Sequence, residues 1–85
     1  MNMMKYIITI NGPVIFPTSI NHADVAIGLG RIRSAGFVSI EWDDELNQFE
    51  ARTSGRSHTL DIDSYPLDYL EIRNMLNLHY KHHKS

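Results

Sequence analysis

The chain has 85 residues, 42% of them apolar and 21% charged, with eight Lys or Arg against ten Asp or Glu and a net charge of −2. That length suits one small domain, residues 1–85, and the composition excludes wholesale disorder. The near-balance of charge argues against a general nucleic-acid binder, which carries a basic excess. The absence of cysteine excludes disulfides, thiolate zinc sites and cysteine nucleophiles.

The first ten residues hold an apolar run too short and too interrupted for a signal peptide or a membrane span. With the lack of cysteine, this leads to the expectation of a cytoplasmic protein with no membrane partner. Residues 5–10 read as a strand, rich in the β-formers Tyr6, Ile7, Ile8, Thr9 and Ile10. Asn11-Gly12-Pro13 is a turn signal, and Val14, Ile15 and Phe16 form a short second strand closed by Pro17. Prolines at both ends mark that strand as an edge, since proline donates nothing to a ladder.

Asn21 then suits a helix N-cap, with Asp24 three residues on and Ile20 and Val25 as a hydrophobic staple. Val25, Leu29 and Ile32 recur at helical spacing, Ala26 and Ile27 widen the stripe, and Gly36 is a natural stop after Ala35. Gly28 and Gly30 fall inside this predicted helix, each at a cost of roughly 1 kcal/mol relative to alanine, which fits close packing. They lack the third glycine and the strand-to-helix setting of a dinucleotide fingerprint.

Residues 37–42 alternate, with Val38, Ile40 and Trp42 on one face, and residues 43–47 form a polar turn. Phe49, Ala51 and Thr53 share a face in the next strand, while Glu50 and Arg52 point the other way. After a turn at Ser54-Gly55, His58, Leu60 and Ile62 lie along one face of a further strand. The short connections make all three strands antiparallel. Ser64-Tyr65-Pro66 breaks the chain, and residues 67–80 are the second helix, striped by Tyr69, Ile72, Met75, Leu76 and Tyr80. Asp68 and Glu71 near its start and Lys81 near its end agree with the helix dipole. Residues 81–85 are expected to fray. The order ββαβββα thus predicts an α+β domain, an antiparallel sheet of about five strands with two helices packed on one face. A core of this size supplies only modest stability, so a homo-oligomer is expected.

Two loops carry the candidate chemistry. Arg52, Thr53, Ser54, Gly55, Arg56 and Ser57 could aim guanidinium forks, hydroxyls and backbone N–H groups at a phosphate or carboxylate. The plainer alternative pairs the two arginines with Glu50 or Asp61. Trp42, Asp43, Asp44 and Glu45, with Glu41 and Glu50 beside them, form an acidic turn with an aromatic anchor, the composition of an interaction surface. His79 with His82 or His83 has spacing that can hold a divalent ion on a helix, but no further ligand lies nearby, so no metal and no cofactor are expected. Ser57, His58 and Asp61 are triad residue types without triad geometry, because neighbours in a strand face opposite ways.

Ser34-Ala-Gly-Phe-Val38, and Gly55-Arg-Ser-His-Thr-Leu-Asp-Ile62 followed by Ser64, Pro66 and Asp68, resemble small uncharacterised bacteriophage and prophage proteins. The resemblance implies an accessory protein that acts on a host or defence component by binding rather than turnover. The leading expectation is therefore a non-enzymatic protein that engages a host protein or protein complex through the Trp42–Glu45 turn and the Arg52–Ser57 turn. A small-ligand binder that sequesters a phosphorylated or cyclic nucleotide at Arg52, Thr53, Ser54, Arg56 and Ser57 is the alternative. Nucleic-acid binding through Arg31, Arg33, Arg52 and Arg56 is disfavoured, since a helix would set Arg31 and Arg33 about 200° apart.

Overall fold

The structure is a computed structural model that describes residues 2–84, and the side chains of residues 3–81. Eight elements follow in order: β1 (Asn2–Thr9), β2 (Gly12–Phe16), α1 (His22–Ala26), β3 (Ile32–Asp43), β4 (Gln48–Ser54), β5 (Arg56–Ser57), β6 (Ile62–Asp63) and α2 (Asp68–Lys84). Strands β2-β1-β3-β4 form one antiparallel sheet, and β5 and β6 form a separate two-stranded one. The class is α+β, as the sequence implies. The main sheet has four strands rather than five, and the two helices lie on opposite faces of it rather than on one.

Strand alternation explains the two-sided core. Tyr6, Ile8, Val38 and Ala51 point to the face that α2 covers with Ile72, Tyr69 and Leu76. Ile7, Phe16 and Ala35 point to the other face and meet Val25 and Ala26 of α1 and Leu60 and Ile62 of the small hairpin. Strands β1 and β3 are central and carry apolar residues on both sides. Residues 25–35 read as a helix because Val25 and Ala26 of α1, Ile27 and Leu29 of the connection and Ile32 of β3 fall at helical spacing although they belong to three different segments.

The first helix in fact ends at Ala26. Gly28 and Gly30 adopt positive φ of 81° and 78°, with open space where a Cβ would stand, so they turn the chain instead of packing it. Asn21 has the extended backbone of an N-cap and accepts Asp24 N–H and Val25 N–H with its carbonyl, but its side chain makes no cap bond. Gly36 does not stop a helix; it sits in mid-β3 opposite Tyr6. The predicted strand over residues 58–62 is also different. Ser57 Oγ accepts Leu60 N–H at 3.1 Å and Asp61 takes φ of 55°, which fold the segment back on itself as β5-turn-β6. Helix α2 continues to Lys84, through most of the segment expected to fray.

One buried carboxylate ties the layers together. Asp68, at the start of α2, is wholly buried and accepts the Tyr6 hydroxyl at 2.6 Å, the Ser34 hydroxyl at 2.9 Å and the Tyr65 N–H at 2.8 Å. Its own N–H donates to the Tyr65 carbonyl at 3.0 Å, so the helix start is capped reciprocally. Arg33 stands 3.7 Å away and also binds Glu71. The Tyr6 phenol is pushed well above the ordinary tyrosine value by burial first, then by the Asp68 hydrogen bond and charge; the Thr53 and Ser64 hydroxyls oppose this.

A folded-state phenol held above its unfolded value stabilises the protein below about pH 10 and ceases to do so as pH rises toward its folded pKa. Stability is therefore expected to fall at alkaline pH by up to about 1.4 kcal/mol per pH unit from this group, and denaturant titrations of Tyr6→Phe should lose that slope. The same variant should be less stable at neutral pH by roughly 1.5–3 kcal/mol, the worth of a hydrogen bond to a charged group. Gly36→Ala would set a Cβ 2.6 Å from the Ser54 carbonyl oxygen and 3.4 Å from the Tyr6 ring. It should lower the urea midpoint by about 1–3 kcal/mol equivalent with an unchanged slope.

Candidate functional site

Among the described residues β1 begins at Asn2, opposite Ile40, and residues 41–43 of β3 pair only with β4. The β3–β4 hairpin is fastened to α2 by aromatic edges: Trp42, Phe49 and Tyr80 have ring centroids 5.0–5.9 Å apart. Its tip is built on Asp43, whose Oδ1 accepts Glu45 N–H at 2.9 Å and Leu46 N–H at 3.1 Å, and on Asn47 at φ of 54°.

The hairpin face turned away from α2 is polar. In register across it stand Ser39 with Arg52, Glu41 with Glu50, and Asp43 with Gln48. With Asp44, Glu45 and Leu46 of the tip they line a shallow open concavity of about 750 Å³. Glu41 and Glu50 are like charges directly opposite one another, an arrangement that costs stability in a sheet. Among the described residues only Glu50 finds a cation, Arg73, at 3.7 Å, and it also accepts a hydrogen bond from the Gln48 side-chain amide at 2.9 Å. Among the described residues Glu41, Asp44 and Glu45 have no ion-pair partner, and neither does the exposed Arg52.

The structure thus brings Trp42, Asp43, Asp44 and Glu45 together at one surface and adds Arg52 to it. Trp42 is 37% exposed, but its ring lies on the α2 side, so it supports the hairpin as much as it borders the concavity. The six residues of the Arg52–Ser57 turn do not converge on one point. Arg52 faces the concavity, and Thr53 faces the Tyr6 phenol on the opposite side of the sheet. Arg56 is engaged by Asp61 and, at 2.9 Å, by Asp63; these bonds hold its guanidinium above the ordinary arginine pKa, Asp61 foremost. Ser57 is buried within the small hairpin, and Gly55 takes φ of 78° with Phe37 against it. Ser54 alone of the hydroxyls is exposed.

Other residues fall out differently from their sequence pattern. His22 opens α1 but is buried, with Nε2 2.9 Å from the Gly36 carbonyl and its ring edge-on to Phe16 and Phe37. His58 is an exposed turn residue rather than a sheet residue. Among the described residues no group of three metal-ligating side chains occurs, and the His82 and His83 side chains lie outside them. Two features carried no sequence signal. Asn77 bonds the backbone of Phe49 from α2, and an apolar groove of about 460 Å³ opens between Tyr65, Leu67 and Leu70 beside Arg33 and Glu71. No helix of the described residues is long and apolar enough to cross a membrane.

Comparison with family models, curated proteins and solved structures finds no match to this chain.

Proposed function

We propose that this is a non-enzymatic interaction protein whose contact surface is the polar face of the β3–β4 hairpin, and that it takes a basic segment of a protein partner. The observation that carries the reading is the set of carboxylates, Glu41, Asp44 and Glu45, which have no ion-pair partner among the described residues and line an open surface that α2 reaches with Arg73, on Glu50. Repulsion between Glu41 and Glu50 is unfavourable to the isolated fold, and a cationic partner would relieve it. Local rules broken with only partial compensation within the fold, here at Glu50 alone of the two, are places where function is sought.

The manner of binding follows from the sheet edges. Pro13 lies within β2, the outer strand on one side, and offers no N–H to an added strand. On the other side β4 is closed at Phe49 by Asn77. Recognition across the face rather than strand addition at an edge is the mode these features support. A host protein or complex is the class of partner, as the phage-like sequence stretches imply, in the cytoplasm. Sequestration of a nucleotide has less support, because Arg56 is already committed to two aspartates and Ser57 is enclosed.

Affinity capture from bacterial lysate tests the proposal. Wild type should retain proteins with basic surfaces, and these should elute as salt approaches about 0.5 M, where screening shortens to a few ångströms. The triple variant Glu41→Gln, Asp44→Asn, Glu45→Gln should bind the same proteins about 10–100-fold more weakly, since three exposed charges contribute roughly 0.5–1 kcal/mol each. Equal retention by both proteins would count against the assignment of the surface.

A further inference from the structure

Strand β4 does not end in solvent on its outer side. The Asn77 side-chain oxygen accepts Phe49 N–H at 2.7 Å, and its NH2 donates to the Phe49 carbonyl at 3.0 Å. Accepting from the N–H and donating to the C=O of one residue is how a neighbouring antiparallel strand pairs. Asn77 therefore occupies the place of a strand. One helical turn earlier Arg73 reaches Glu50 at 3.7 Å, and Ala51 between them is only 5% exposed. Asn77 and Arg73 sit four residues apart, on one face of α2.

The strand beneath this cover is complementary to itself. Phe49 presents its backbone groups outward, so by the two-residue alternation Ala51 and Thr53 do the same. Set β4 antiparallel against β4 of a second copy, with Ala51 opposite Ala51. Phe49 then faces Thr53, and Glu50 of each copy faces Arg52 of the other. Opposite charges directly across a ladder are favourable, and a two-fold axis makes the pair twice. Arg52 has no ion pair among the described residues of the single chain, so it is available for this.

We propose that Asn77 is a latch that closes the β4 edge against a second copy of this chain, and that its release yields a symmetric dimer with one sheet running through both copies. The proposal does not depend on the hairpin face binding a basic partner. Natural sheets guard their edges because an open one invites unwanted pairing; here the Asn77 amide is the guard that bonds the strand's backbone, with Arg73 on Glu50 beside it.

Light scattering across a concentration series is the test, with circular dichroism to establish folding. Asn77→Ala should show a concentration-dependent doubling of mass that wild type lacks, and Asn77→Ala with Arg52→Glu should return to the wild-type mass. An Asn77→Ala variant that keeps the wild-type mass, or one whose association survives Arg52→Glu, would overturn the proposal. So would a wild type that forms the same Arg52-dependent dimer. Hydrogen exchange on wild type gives a reading that needs no variant to fold. The Phe49 amide should be protected with the core of the sheet, and exchange at the rate of an exposed amide would mean that no latch is closed.

Discussion

Asp68 is a carboxylate with no access to solvent, and its acceptor positions are filled by groups from three places in the chain: Tyr6 on β1, Ser34 on β3 and the backbone of Tyr65 before α2. Burying a carboxylate is costly unless it is hydrogen-bonded, so the stability of the fold depends on these groups coming together. The requirement fixes where α2 begins and how it lies on the sheet. It also explains why small residues surround the site. Gly36 leaves room for the Tyr6 ring beside the Ser54 carbonyl and Ser64, and any Cβ there would displace the strand that carries the phenol.

From that anchor the rest of α2 is laid down along the sheet. Ile72 and Leu76 extend the core, Asn77 fastens the outer strand, and Tyr80 meets Trp42 and Phe49 at the far end. The apolar support of the hairpin comes from that side. On its other face the side chains are polar and in part mutually repulsive, with Arg73 of α2 reaching Glu50. The opposite end of that same face is closed by α1 and the β5–β6 hairpin around His22, Phe16 and Phe37. One surface of the sheet is in this way divided into a covered half that contributes stability and an open half whose Glu41, Asp44, Glu45 and Arg52 have no ion pair among the described residues.

Much of the local structure was legible in the residues. The β1–β2 hairpin, the alternation of Phe49, Ala51 and Thr53 against Glu50 and Arg52, and the stripe of Tyr69, Ile72 and Leu76 in the last helix all follow from periodicity and turn chemistry. The acidic turn of Trp42–Glu45 was legible as a surface for the same reason, since its charges cluster in sequence. The arginine turn was misleading as a unit. Residues adjacent in a strand face opposite ways, and Arg56 had two aspartates within seven residues with which to pair. Residues 25–35 differ from the predicted helix because Val25, Leu29 and Ile32 keep helical spacing in sequence while Gly28 and Gly30, at positive φ, turn the chain between α1 and β3.

What the sequence by itself determined is the set of local preferences: where the chain turns, which residues alternate, and that an α+β domain without cysteine results. Tertiary structure alone decided which face each helix covers, that Asp68 is a buried hub rather than an exposed helix-start acid, and that Asn77 closes a strand edge 28 residues away in sequence. The physical reason is the range of the forces. Propensity, capping and turn geometry act within a few residues, whereas satisfying a buried carboxylate or an unpaired strand edge draws partners from any part of the chain that packing brings within hydrogen-bond distance.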